Sequence, residues 1–149
     1  MTVLSGEGIE VTLPPGWEGV IGRSGAVADG AVRQVVAHFA SFPLPAVRGD
    51  FGGGATEGMG PQDVLVVLFE FGPEAVGSTL FAAEGMPSIS AADFDRSMLQ
   101  RSIIGQSGVQ RFFTTAGRTF CLYVVVGSHL DRVDVVPTVS ALLGSLRIK

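Results

Sequence analysis

Two β-branched and aromatic runs, Val109 to Thr115 and Arg118 to Val126, meet at the dipeptide Ala116-Gly117. A two-residue connection containing glycine between such runs is the signature of a tight antiparallel hairpin. The expected register pairs Thr115 with Arg118, which sets Phe113 opposite Phe120 and Phe112 opposite Cys121. Aromatic cross-strand pairs of this kind contribute roughly 0.2–1 kcal/mol each. A second constraint is Gln62 to Phe71, where Val64 through Phe69 is continuously apolar. Such a run predicts a central strand covered on both faces.

The rest of the chain is read around that spine. Ile9, Val11 and Leu13 alternate with Glu10 and Thr12, the period of a half-buried strand, and Pro14-Pro15-Gly16 turns the chain. Trp17 to Arg23 resumes extended character, Gly25 to Gly30 reads as a turn, and Val32 to Phe42 as a longer strand. Short connectors make these three consecutive antiparallel strands. Pro43 to Gly60 carries two prolines and six glycines and reads as a long loop. Phe94, Met98 and Leu99 are spaced for a short helix from about Ala91 to Ser102; an irregular covering segment fits the same stretch. Ser128 to Asp131 resembles a capping box before a C-terminal helix that runs to about Gly144. Pro137 is tolerable only in a first turn, which places the regular start near Val135, with Val139, Leu142, Leu143 and Leu146 facing the core.

At 149 residues, 46% hydrophobic and 16% charged, the chain is long enough for one α+β domain, residues 1–149, with a large core and a thinly charged surface. The expected fold is an antiparallel sheet of about six strands flanked by helices. A net charge of −4 and scattered basic residues exclude the electrostatic footprint of nucleic-acid binding. No apolar run approaches the ~18 residues of a membrane span, so no membrane insertion is expected. Cys121 is the only cysteine, and Met1 to Glu10 lacks the features of a signal peptide; both point to a cytoplasmic protein.

The segment Gly8-Ile-Glu-Val-Thr-Leu-Pro-Pro-Gly-Trp17 resembles the opening strand and "P-x-G-W" turn of PsbP-like domains. The close, Leu142-Leu-Gly-Ser-Leu-Arg-Ile148, is similar to their final helix and short last strand. The resemblance covers the two ends, about a third of the chain. It implies an α/β/α sandwich, and a family mostly of binding or assembly modules, among them photosystem subunits and secretion chaperones. It assigns no functional residue to this chain, since function does not follow from fold.

Each polar feature has a plainer alternative. Arg48-Gly-Asp-Phe-Gly-Gly-Gly-Ala-Thr-Glu57 lacks the lysine and following helix of a phosphate loop, and reads as a surface loop. Its triplet Arg48-Gly49-Asp50 matches integrin ligands, but three residues carry no reading. His38 and His129, with Cys121, are too few and too scattered for a metal site, and no metal or other cofactor is expected. His38 reads as a satisfied sheet histidine, His129 as a solvated one at a helix start. Cys121, mid-strand among Phe120, Leu122 and Tyr123, reads as a buried inert thiol, so no catalytic residue is assigned.

The remaining polar set is Arg101, Gln110, Arg111 and Arg118, with Gln106 nearby, at or before the hairpin. Arginine and aromatic residues are enriched at protein interfaces, which makes these four the candidate binding residues. The plainer account is that the arginines satisfy loop carbonyls or pair with Glu70 and nearby acids. The function expected is non-enzymatic: a protein-interaction or assembly module with a protein partner or self-association. The alternative is a small-ligand domain with residues 43–60 as a mobile loop over the sheet.

Overall fold

The expected hairpin is present residue for residue. In the computed structural model, which describes residues 2–24 and 33–149, β6 (Ser107–Thr115) pairs antiparallel with β7 (Arg118–Val126). Thr115 lies opposite Arg118, Phe113 opposite Phe120 and Phe112 opposite Cys121. Ala116 and Gly117 both adopt positive φ, 52° and 73°, as a two-residue type I′ turn requires.

On its other side β7 pairs with β5 (Val64–Glu70), β5 with β4 (Val35–Ala40), and β4 with β3 (Glu18–Arg23). The five-stranded sheet has order β3-β4-β5-β7-β6 and is antiparallel throughout. Val64 to Leu68 are fully buried, as expected of a central strand. The turn expected at Gly25–Gly30, and the start of the strand expected from Val32, lie outside the described residues.

The N-terminal strand is not part of this sheet. β2 (Ile9–Leu13) pairs with β1 (Thr2–Gly6) and with β8 (Arg147–Ile148) in a separate three-stranded sheet of order β1-β2-β8. The expectation of three consecutive antiparallel strands is corrected accordingly, and the described residues form eight strands in two sheets rather than about six in one. The reason is local. Glu7 and Gly8, at φ 53° and 77°, form a second tight turn that gives β2 a partner on its N-terminal side. At its other end the Pro14 carbonyl accepts from Trp17 N–H, and the chain turns into β3, whose partner is β4.

One face of the large sheet packs on α2 (Arg132–Ser145) and the small sheet. Val66, Phe120, Leu122 and Val124 meet Val139, Leu142, Ile9 and Val11 there. The helix begins at Arg132, after a 3-10 turn at His129–Asp131 with no side-chain cap, and not near Val135. Pro137 therefore sits inside the helix and leaves the Val133 carbonyl without its usual donor.

Among the described residues no helix of that kind covers the opposite face. Phe42, Leu44, Phe51, Ala55 and Met59 lie over Leu65, Val67, Tyr123 and Val125, joined by Leu99 and Phe112. The segment expected as a loop thus carries core residues and one helical turn, α1 (Gly53–Thr56). A Cβ on Gly54 would lie 2.7 Å from the Val47 carbonyl oxygen, so glycine lets α1 press against the 47–48 backbone.

The helix allowed over Ala91 to Ser102 reduces to a 3-10 turn, Ala91–Asp93, closed by a Ser90–Asp93 capping box. The chain then extends, because Asp95 exchanges backbone hydrogen bonds of 2.9 and 3.0 Å with Gly108 of the edge strand β6. Residues 83–85 bond Thr114 in the same way. These contacts, with Arg111 donating to the Gln110 carbonyl at 3.0 Å, blunt an edge otherwise open to strand addition. None of the described helices is long and apolar enough to cross a membrane.

Candidate functional site

The four residues singled out from the sequence are not brought together. Arg118 donates to both oxygens of Glu70 at 2.9 and 2.8 Å and to the Lys149 carbonyl at 3.1 Å. Its guanidinium lies 5.2 Å from the Phe120 ring centroid. The Glu70 carboxylate raises its affinity for the proton further. Arg118 thus ties β5 and β7 to β8.

Arg111 reaches Asp93 at 3.2 Å and holds the 3-10 turn against β6. Gln110, on the other face of the same strand, lies opposite Tyr123. Arg101 donates to the Gly53 carbonyl at 3.0 Å and pairs with Glu57, so it clamps α1. Gln110 lies five residues along β6 from Thr115, the partner of Arg118, which is roughly 17 Å of strand. Each arginine has the carbonyl or carboxylate partner that the plainer account supplies.

Cys121 is fully buried, and burial pushes its thiol up to about 11, the nearby Gln110 amide working the other way. A thiol so protonated is a poor nucleophile. Among the described residues no three His, Cys, Asp or Glu side chains gather where they could hold a metal ion. His129 is half-buried, and desolvation, then Arg132 and Arg96, holds its pKa below the usual value.

His38 stands apart. It is 4% exposed, in a row of side chains otherwise as apolar as Val36 and Ala40. Both ring nitrogens are satisfied by the 43–60 segment. Nε2 donates to the Asp50 carbonyl at 2.9 Å, and Nδ1 accepts from Arg48 Nε at 3.1 Å. Desolvation first, and the Arg48 charge second, hold its pKa down to about 4, so the ring is neutral at pH 7. A histidine with both nitrogens engaged is neither a free base nor a free metal ligand; it fixes the groups it bonds.

Those groups border a cleft of about 340 Å³ between the β3–β4 ribbon and residues 46–50. Val20, Val36 and Val47 supply apolar walls; Arg23, His38, Arg48 and Asp50 supply the polar ones. Arg48 also donates through Nη1 to the Pro45 carbonyl at 3.1 Å. No sequence pattern joins His38 to Arg48-Gly49-Asp50. The available signal was a histidine in mid-strand, which requires a polar partner if its face is covered.

Comparison with models of known protein families, with curated proteins and with solved structures finds no match to this chain.

Proposed function

We propose that the protein is a non-enzymatic interaction module that engages a protein partner through an apolar patch at the N-terminal end of α2. The observation that carries this reading is the exposure of three large aliphatic side chains there. Ile104 is fully exposed, Leu130 is 81% and Val133 65% exposed. The His129 N–H donates to the Gly105 carbonyl at 2.7 Å, which holds the two segments side by side. Leu130, in the 3-10 turn, and Val133, in the first turn of α2, are three residues apart and both exposed. Solvated valines and leucines scattered singly need no explanation, whereas a cluster does.

The PsbP-like resemblance of the chain ends supports the reading as a binding module. The experiment is the double variant Ile104→Asp/Leu130→Asp, whose sites are exposed and leave the core intact. Wild-type protein is expected to self-associate in light scattering or to retain a protein in pull-down, and the variant to lose that association. A wild-type chain that stays monomeric at high concentration and retains nothing would overturn the reading.

A further inference from the structure

We infer that the cleft between the β3–β4 ribbon and residues 46–50 binds a small organic anion, with Arg48 holding the anionic head and the valines its apolar body. This site is separate from the patch at α2.

The guanidinium is built in rather than left loose. Nε is tied to the buried His38 ring, and Nη1 to the Pro45 carbonyl and more distantly to Ala46 at 3.4 Å. Those bonds fix the plane of the group and leave Nη2 without a partner among the described residues. Arg23, Arg101, Arg111 and Arg118 each contact a carboxylate; Arg48, like Arg33, Arg96, Arg132 and Arg147, contacts none among the described residues, and of these it is the one tied to a buried ring. An arginine whose plane is fixed in this way is well suited to an oxyanion.

A purely structural role accounts for less. The 43–60 segment is already held by Phe51, Ala55 and Met59, and Val36 and Ala40 show that apolar side chains fit this row. Placing a buried imidazole against a guanidinium opposes protonation of the ring and gains no ion pair. What it does supply is orientation of Arg48. His38 is therefore a positioning residue.

The apolar side of the cleft is similarly unexplained by the fold. Val47 is 88% exposed and Val20 41%, both on the cleft. A Cβ at Gly22 or Gly49 would meet nothing within 4 Å, so the cleft is open at both positions. The volume is at the lower end for small-molecule sites, roughly 300–1,000 Å³. Asp50 also lines it and disfavours multiply charged ligands, which selects a singly charged head on a short apolar chain. Arg23 at the rim is already paired with Glu7 at 2.7 Å.

The test uses hexanoate, hexyl phosphate, hexanol and inorganic phosphate as probes of the whole chain, followed by amide chemical shifts. Hexanoate should shift Val20, Gly49 and Asp50 saturably below ~10 mM, and hexyl phosphate, largely doubly charged near neutral pH, should bind more weakly. Hexanol and inorganic phosphate should bind at least ~10-fold more weakly, since each lacks one half of the recognition. Arg48→Gln should abolish saturation. Val47→Asp, at an exposed position that leaves folding untouched, should weaken binding by repulsion. His38→Gln should weaken it several-fold while the shifted amides stay the same. Equal binding of hexanoate and hexanol, unchanged binding by Arg48→Gln and Val47→Asp, or no saturation by any probe would each overturn the inference.

Discussion

His38 shows how much one residue can commit a segment. Its ring is neutral when folded, with a pKa near 4, but titrates near 6.5 when unfolded. Between those values the unfolded chain binds more protons, so stability is fully present above pH 6.5 and falls as pH drops toward 4. The loss is up to about 3 kcal/mol, levelling off below pH 4 as far as this group is concerned. Urea denaturation of wild type and His38→Gln across this range should give profiles that converge on the acid side; parallel profiles would remove the assignment. The sequence showed His38 as a sheet histidine needing partners, but not which ones. Asp50 and Arg48 lie ten to twelve residues away in a glycine-rich stretch without periodicity, and only the packing of α1 on the 47–48 backbone brings them over the strand. The same limit applied to Arg118. Its pairing with Glu70 was foreseeable from sign and strand polarity, whereas its bond to the Lys149 carbonyl depends on β8 joining a second sheet.

At the scale of elements, the legible parts were those whose partners are adjacent in sequence and whose turn chemistry is local. The β6–β7 hairpin follows from two β-rich runs and a glycine, down to its register. The β1–β2 hairpin is formed the same way, yet Thr2–Gly6 is short and mostly exposed, and Glu7-Gly8 is a weaker turn signal than Asn-Gly. Of the two readings of Ala91 to Ser102, the irregular covering segment is the one found: Asp95 bonds β6 at Gly108, a tertiary demand that overrides helical spacing. The turn that joins β6 to β7 also carries strain that can be removed. Ala116 holds φ at 52°, a conformation that costs an alanine roughly 1–2 kcal/mol and that asparagine tolerates better. Ala116→Asn should therefore raise the denaturation midpoint, by up to about 1 kcal/mol in stability with an unchanged m-value. A midpoint at or below that of wild type would contradict a left-handed Ala116.

For the whole molecule, the decisive feature is that the large sheet has two covered faces, only one of them covered by a regular helix. The 43–60 segment was expected as a loop, free to move over the sheet in the ligand-binding alternative. Its composition hid its role, because glycine and proline give no periodic pattern even where the chain is packed. Phe51 is the anchor: its ring stacks on Phe69 at 5.2 Å and meets Tyr123 edge-on at 5.9 Å. Through Phe69, Phe71, Phe81 and Phe112 the contacts continue across β5 to β6, so the cover and the hairpin share one aromatic cluster. Truncating an aromatic anchor of this kind costs about 2–4 kcal/mol, which is a large share of a domain's net stability. Phe51→Ala should lower the melting temperature by many degrees, and removal of residues 43–60 should abolish cooperative unfolding, both read by near-ultraviolet circular dichroism. A deletion variant that still melts cooperatively near the wild-type temperature would show the segment to be a dispensable lid. The expected result instead makes the segment a fixed cover, whose 46–50 turn, tied to His38 through Arg48 and Asp50, borders the cleft.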